Sequence, residues 1–467
     1  MAMRVGSTTR GNTTSTSTSN RGDVLVTRSK ADKAYICFTG SLVPLGPVFQ
    51  RDTLRREVER GSIWVFEQTQ ALEDLSVYTP VRMTVIKLRS GGLWIHAPVA
   101  PTAECVRLVQ ELGCPVEYIV LPTFAYEHKI FVGPFSRAFP DAEVYVTPYQ
   151  WSFPVNLPNE FLGINPTGEL TPTEEGMPWA DEIGQRLLLP PSISIGDYAR
   201  QPECAFFHKK SKTLLVTDSV IMLNDNVPDI IPVPALLESA RDSWLNRFRA
   251  GGRSSEEVKA ISRPELRDDT LENRIRGYRR MSLICLYFIP SDLLCPDNAW
   301  RAISDRLICP PVVETLVYSN FKPVVRAWVD SITSDWAFNK VIPAHFDAPV
   351  RATPSDFRRA FAFAYEGEGP DQERRSGSGG GAAGTSGRGN GDDSSAPGAA
   401  APGSRSPGFL AGLFGGLPGA WLGGGGGGRG GEERPRRVVE FPDADIEALR
   451  GLIWLLRASG IVRPVNE

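Results

Sequence analysis

The sequence predicts an α/β protein of stacked sheet and helix layers. Two observations predict it. Short continuous apolar runs of strand length recur between stretches with helical spacing, and residues 116–147 read strand, helix, strand, a βαβ-like unit. At 467 residues the chain can bury one large core or two smaller ones. Its 41% hydrophobic and 22% charged content places it among ordinary globular proteins.

Taken in order, residues 23–80 read as an N-terminal extension punctuated by proline, as in Val43-Pro-Leu-Gly-Pro-Val-Phe49. Strands are expected near 82–88 and 93–96. A helix follows near 102–113, where Val106, Leu108, Val109 and Leu112 share a face. Val116-Glu-Tyr-Ile-Val-Leu121 is an apolar strand, followed by a helix near 129–139 and a strand at 143–147. The proline-rich stretch 153–191 reads as irregular, draped over a cleft mouth or a sheet edge. Strands at 204–207 and 213–217 come next, joined by a hairpin turn that leaves His208 at the surface beside Lys209 and Lys210. Helices near 234–247, 298–308 and 311–332, a strand at 340–342 and a helix near 354–364 complete a main domain over 81–365.

From 366 to 433 the composition shifts to Gly, Ser, Ala and Arg, ending in the six glycines Gly423 to Gly428, and reads as a flexible linker. No Gly-Lys-Ser/Thr closes it, so it is not a phosphate loop. Its apolar stretch Phe409-Leu-Ala-Gly-Leu-Phe414 reads as drift in a low-complexity insertion. In 434–467, Asp443 reads as the N-cap of a helix to about Ser459, whose Ile446, Leu449, Ile453 and Leu456 form one apolar face that packs on the main domain.

Several function classes are disfavoured. A net charge of -3 provides no electrostatic footprint for nucleic acid. No apolar run approaches the ~20 residues needed to cross a bilayer. Seven cysteines, an odd number without Cys-x-x-Cys spacing, argue against a disulfide framework or a zinc ribbon. Residues 1–22 are basic, rich in Ser and Thr and acid-free, which suits a transit peptide or a disordered tail.

The candidate chemistry lies at strand ends. The chain has four histidines, His96, His128, His208 and His345, too few for a histidine-rich dinuclear centre. Glu127 and His128 offer adjacent carboxylate and imidazole past the 116–121 strand. Asp218 follows Leu214, Leu215 and Val216, and His345 follows Val341-Ile342-Pro343. Divalent metals of the zinc type are held by such donors from several loops at one sheet edge. Alternatively, Glu127 is a solvated loop acid, Asp218 a turn former and His345 a packed core histidine. His96 ends the run Leu93-Trp-Ile and either reaches the cleft or is a satisfied, partly buried histidine.

The chain resembles metallo-β-lactamase-fold proteins, and among them the plant, algal and cyanobacterial family of the domain of unknown function 4336. The resemblance is carried by Met83-Thr-Val-Ile-Lys-Leu88, Leu93-Trp-Ile-His-Ala-Pro-Val-Ala-Pro-Thr102, Tyr118-Ile-Val-Leu-Pro122 and Phe135-Ser-Arg-Ala-Phe-Pro-Asp-Ala142. It continues in Ala205-Phe-Phe-His-Lys-Lys-Ser-Lys-Thr-Leu-Leu-Val-Thr-Asp218 and Ile342-Pro-Ala-His345. It implies an αββα sandwich. It also implies that Thr123, Ala125 and Arg200 stand where the histidines of a first metal site would be. Glu127, His128, Asp218 and His345 fall on the ligand positions of the second.

The resemblance thus implies at most one divalent ion, zinc first and iron or manganese next, or none if the site is degenerate. With an ion, the expected activity is hydrolysis of a small ester-like or anionic substrate by metal-bound hydroxide. Asp218 or Glu127 would orient the water and take its proton, and Arg200 and His96 would contact substrate. Four protein donors would close the coordination sphere unless one carboxylate swings away. The alternative is a non-catalytic relative that binds a ligand or a protein. The family also tips the location toward the plastid, with the cytoplasm as the alternative.

Overall fold

The computed structural model describes residues 30–35, 46–47, 49–72, 77–150, 158–191, 200–241, 268–287, 290, 292–293, 296–366 and 440–458. The expected transit peptide and nearly all of the glycine-rich linker lie outside the described residues, as does Ser459.

Seven strands form one sheet in sequential order: β1 (Leu54–Glu59), β2 (Ile63–Leu72), β3 (Val77–Lys87), β4 (Leu93–His96), β5 (Val116–Leu121), β6 (Glu143–Val146) and β7 (Gly168–Glu169). The first four pair antiparallel, and β4 to β7 run parallel. A second sheet has the order β13-β10-β9-β8, built from β8 (Ile183–Leu188), β9 (Glu203–His208), β10 (Thr213–Leu215) and β13 (Lys340–Ile342). A short pair, β11 (Ile221–Met222) with β12 (Leu307–Ile308), stands apart.

Side-chain alternation decides the layers. On β5, Ile119 and Leu121 join Cys105, Leu108 and Val109 of helix α1 (Ala103–Gln110) and Val132 and Phe135 of helix α2 (Tyr126–Ala138). Val120 points the other way, into a core shared with Trp94, Phe206, Leu215 and Ile342 of both sheets. Trp94 and Phe206 meet edge to face at 5.0 Å, and burying each such side chain contributes about 1.5–3 kcal/mol. The far side of the second sheet is covered by α7 (Lys322–Asp335) and α8 (Pro354–Ala360). Phe207 stacks on Trp336 just past α7, and Trp328 of α7 donates its indole N–H to the Arg186 carbonyl on β8. The result is an αββα sandwich, two sheets packed face to face between outer helices.

A further cluster gathers helices α3 (Val233–Ala240), α4 (Leu271–Tyr287), α5 (Asn298–Ile303), α6 (Pro311–Leu316) and α9 (Asp443–Ala458). Ile446 and Leu449 of α9, with Phe441 before it, bury among Tyr278, Met281 and Tyr287 of α4. Helices α3 and α4 approach closely at Gly277, where a Cβ would lie 1.9 Å from the Leu236 carbonyl oxygen.

Several elements differ from the sequence reading. Residues 54–80, read as an extension, supply β1, β2 and the start of β3. The polar residues Arg56, Glu67 and Gln68 mask their pattern, although Glu67 and Gln68 are buried. The irregular stretch contains β8. The expected helix over 311–332 is two helices, because Pro323 opens the second at its first turn. The expected helix over 298–308 ends at Ile303 and gives way to β12. His208 is buried, not at the surface. It pairs opposite Thr213 in the β9–β10 hairpin, and its Nδ1 meets the Ser211 hydroxyl at 2.7 Å.

Candidate metal centre

Parallel strands deliver the candidate residues to a common place, at the carboxyl ends where α/β sheets open crevices. Glu127 and His128 open α2 just beyond β5, where a helix N-terminus favours an acid. Asp218 lies three residues past β10, and His345 three residues past β13, its parallel neighbour. One donor atom from each of Glu127, His128, Asp218 and His345 lies within 4.8 Å of all the others.

The geometry within this group is close. His128 Nε2 lies 3.2 Å from His345 Nε2, which lies 3.1 Å from Asp218 Oδ1. His128 Nε2 and Asp218 Oδ1 are 3.9 Å apart. A tetrahedral zinc ion with bonds near 2.0–2.1 Å sets its donors about 3.3 Å from one another. The three separations bracket that edge, and two imidazoles with two carboxylates are a zinc-type donor set. The residues therefore fit a single divalent ion.

One donor is already oriented. His345 Nδ1 lies 2.9 Å from the Pro80 carbonyl oxygen, and its backbone bridges Val81 on β3. An oxygen acceptor there calls for Nδ1–H, so the neutral ring turns its Nε2 lone pair toward the group. His128 is buried, and its Nδ1 meets no partner among the described residues.

Charge follows the same geometry. Burial alone would raise the Asp218 carboxyl, but the neighbouring imidazoles of His128 and His345 hold it below the usual carboxylate range. Burial alone would lower the His345 imidazole, yet the hydrogen bond and charge of Asp218, then Glu127 and the Pro80 carbonyl, push it up.

His96 ends β4 on the inner face and is buried with Nε2 unpartnered among the described residues. Burial, then the neighbouring His128, push its imidazole down to about 3, while Asp218 pulls the other way. It is therefore a neutral imidazole within the electrostatic reach of two members of the group.

Arg200 stands outside the four-residue group, with its Cζ 4.4 Å above the ring of half-exposed Tyr149. Thr123 is buried. Its hydroxyl accepts the Ala125 N–H at 3.2 Å and its carbonyl accepts from Gln150 Nε2 at 3.1 Å. Neither Thr123 nor Ala125 offers a side-chain donor of the kind a zinc-type ion prefers.

Glu203 was missed by the sequence reading. It is buried at the head of β9, and its carboxylate accepts from the backbone amides of Thr217 (3.0 Å), Asp218 (3.3 Å) and Ser219 (3.1 Å). The Tyr318 hydroxyl donates to it at 3.3 Å. Burial, then the charge of Asp218, raise its carboxyl to about 7. Glu203 thereby fixes the turn that presents Asp218. The only available signal was an acid heading the otherwise apolar strand Cys204-Ala-Phe-Phe207.

A family model described as "Domain of unknown function (DUF4336)" matches residues 60–304 and 296–363. No curated protein matches the chain. Among solved structures, it is similar to a metal-soaked flavodiiron core from Synechocystis sp. PCC6803, at 11% identity and a TM-score of 0.36. That match covers 67% of this chain and 61% of the other, so this chain spans less than two thirds of that core. It is similar to a fragment of a protein described as a diflavin flavoprotein from Nostoc sp. PCC 7120, at 12% identity and a TM-score of 0.36, covering 70% of this chain and 99% of that fragment. A metallo-β-lactamase from Pontibacter korlensis is similar at 12% identity and a TM-score of 0.28, over 40% and 84%.

Proposed function

For a chain that belongs to the DUF4336 family, whose model covers residues 60–363 in two overlapping segments, we propose a mononuclear metal-dependent hydrolase acting on a small ester-like or anionic substrate. The observation that carries this reading is the convergence of Glu127, His128, Asp218 and His345, with His345 Nδ1 anchored 2.9 Å from the Pro80 carbonyl oxygen so that Nε2 faces the group. Zinc suits the donor set best, with iron and manganese next. A divalent ion held there supplies Lewis acidity and lowers the pKa of a bound water from ~15.7 to ~7.

The chain's own residues take the remaining roles. Glu127 is half-buried in the first turn of α2, and a carboxylate there can leave the donor set and accept a proton. Asp218, held ionised by its two imidazole neighbours, is the second candidate base. His96 holds a neutral imidazole toward the group and can hydrogen-bond a substrate oxygen. Arg200, stacked on Tyr149, offers a fixed positive charge to a carboxylate or phosphate.

A second reading is favoured by the donor count itself. Four protein donors close a tetrahedral sphere, as in structural sites, and would leave a non-catalytic scaffold that binds a ligand or a protein. Metal content of the purified protein and of its His128→Ala and His345→Ala variants, followed by a screen of ester, thioester and phosphodiester substrates, separates the readings. The hydrolase is expected to carry near-stoichiometric metal that both substitutions abolish, and to turn over one substrate class. Metal-free protein with unchanged folding would overturn it. Bound metal without turnover would leave the scaffold.

A further inference from the structure

An ion triad with two buried members and one half-buried one lies behind His345. Arg56 on β1, Glu67 on β2 and Arg82 on β3 share the inner face of the large sheet, where Glu67 pairs in register with Arg82, and Arg56, in register with Val65, sits diagonally across from Glu67. Arg82 is 1% exposed and Glu67 4%. Arg82 Nε and Nη2 donate to Glu67 Oε1 at 2.8 and 2.6 Å, and Arg56 Nη2 donates to the same oxygen at 2.6 Å.

The rest of the two guanidiniums grips one loop. Arg82 Nη1 donates to the Pro343 carbonyl and Nη2 to the Phe346 carbonyl, each at 2.5 Å. Arg56 Nη1 reaches the Ala348 carbonyl at 3.3 Å. These carbonyls flank His345, and Phe346 holds a left-handed φ of 57° that a phenylalanine does not adopt without support. The loop is tied on its other side to the Asp218 turn, because the Ala344 amide donates to the Thr217 carbonyl. Pro80, Val81 and Arg82 on one strand thus fix the ring, the backbone and the flanking carbonyls of His345.

A largely buried ion triad is a poor source of stability, since apolar residues of similar volume are often as good or better. Its use here is geometric. We infer that Arg82, neutralised by Glu67, is a positioning residue for His345 and sets the affinity of the metal centre. This rests on the metal-binding part of the reading above.

The test compares Arg82→Lys, Arg82→Met and the double variant Glu67→Met/Arg82→Met with the wild type and with Gly277→Ala, a destabilised control whose added methyl meets the Leu236 carbonyl and neither Arg82 nor a donor. Lysine keeps the charge beside Glu67 but replaces the fork with a single point donor. Two readouts are taken: Co(II) affinity with the visible Co(II) spectrum, and hydrogen exchange of the Ala344 and Asp347 amides in metal-free protein.

The expected result for Arg82→Lys is a 10–100-fold loss of Co(II) affinity, the size typical of lost outer-shell support, with shifted Co(II) bands and about tenfold faster exchange at both amides. The control should lose stability and keep wild-type Co(II) binding. Arg82 variants that fold and bind Co(II) with wild-type affinity and spectrum would overturn the inference. If the single variants fail to fold, the double variant decides: weak binding supports the inference and wild-type binding overturns it. If the wild type itself binds no Co(II), the functional reading fails separately, and unchanged amide exchange in the variants would then overturn the inference as well.

Discussion

Replacing His345 with alanine tests the metal centre through stability, with no assumed substrate. A structural zinc ion binds with about 10–16 kcal/mol, so each of four donors contributes about 2.5–4 kcal/mol. Deleting one donor should then weaken binding by about 10²–10³-fold, at about 1.4 kcal/mol per tenfold. With metal at a hundred times the wild-type Kd, the folded state gains about 2.7 kcal/mol. At the same concentration the variant would sit at or below its own Kd and gain at most about 0.4 kcal/mol. For a chain of this size the wild-type gain is a Tm rise of about 3 °C. Differential scanning calorimetry with zinc and then with a chelator reads the difference directly. His345 sits beside His128 Nε2 at 3.2 Å and Asp218 Oδ1 at 3.1 Å, so its loss opens the donor set at its centre. A wild-type Tm indifferent to both zinc and chelator, or a His345→Ala protein that responds like the wild type, would refute the reasoning.

Three further outcomes are expected. Glu203→Ala strips the acceptor from three amides, two of them buried, and should cost about 3 kcal/mol in urea unfolding, with weaker metal binding; an unchanged midpoint would sink the role given to that carboxylate. Gly277→Ala drives a methyl into the Leu236 carbonyl and should cost about 2–3 kcal/mol with an unchanged m-value. For Glu67, burial raises the carboxyl, but Arg82 and then Arg56 outweigh it and hold it below its ordinary 4.5. A depressed folded pKa means that this contribution is intact above pH 4.5 and is lost as the pH falls through the folded value. Glu67→Gln should therefore be less stable than the wild type at neutral pH, with the gap closing below pH 4.5. A gap of constant size across that window would contradict the assignment.

The parts of the fold that the sequence disclosed are those whose apolar runs are continuous. Leu93–His96, Val116–Leu121 and Lys340–Ile342 fall where expected, because strands buried largely on both faces carry few polar residues to blur them. The four donors were legible for the same reason, since each follows such a strand. Strands β1 and β2 were hidden by charge: Arg56 and Glu67 look solvent-facing yet turn inward to the triad. Helix α4 was hidden likewise, for its Arg280 is buried and donates to the carbonyls of Leu293, Ser239, Ala240 and Arg241. A guanidinium spent on backbone carbonyls leaves no trace in a hydrophobicity pattern. Glu203 is the same case at the site, because its partners are amides and any sequence supplies those.

The placement of the four donors has a mechanical consequence. Glu127 and His128 hang from the seven-stranded sheet, whereas Asp218 and His345 hang from the four-stranded one. A cation seated among them would act as a rivet through the sandwich, joining halves that otherwise cohere at this rim by packing and a few polar ties. Stripping the cation should let the rim gape before the interior loosens, so a protease would find its first new cuts in the segments around residues 123–128 and 343–348.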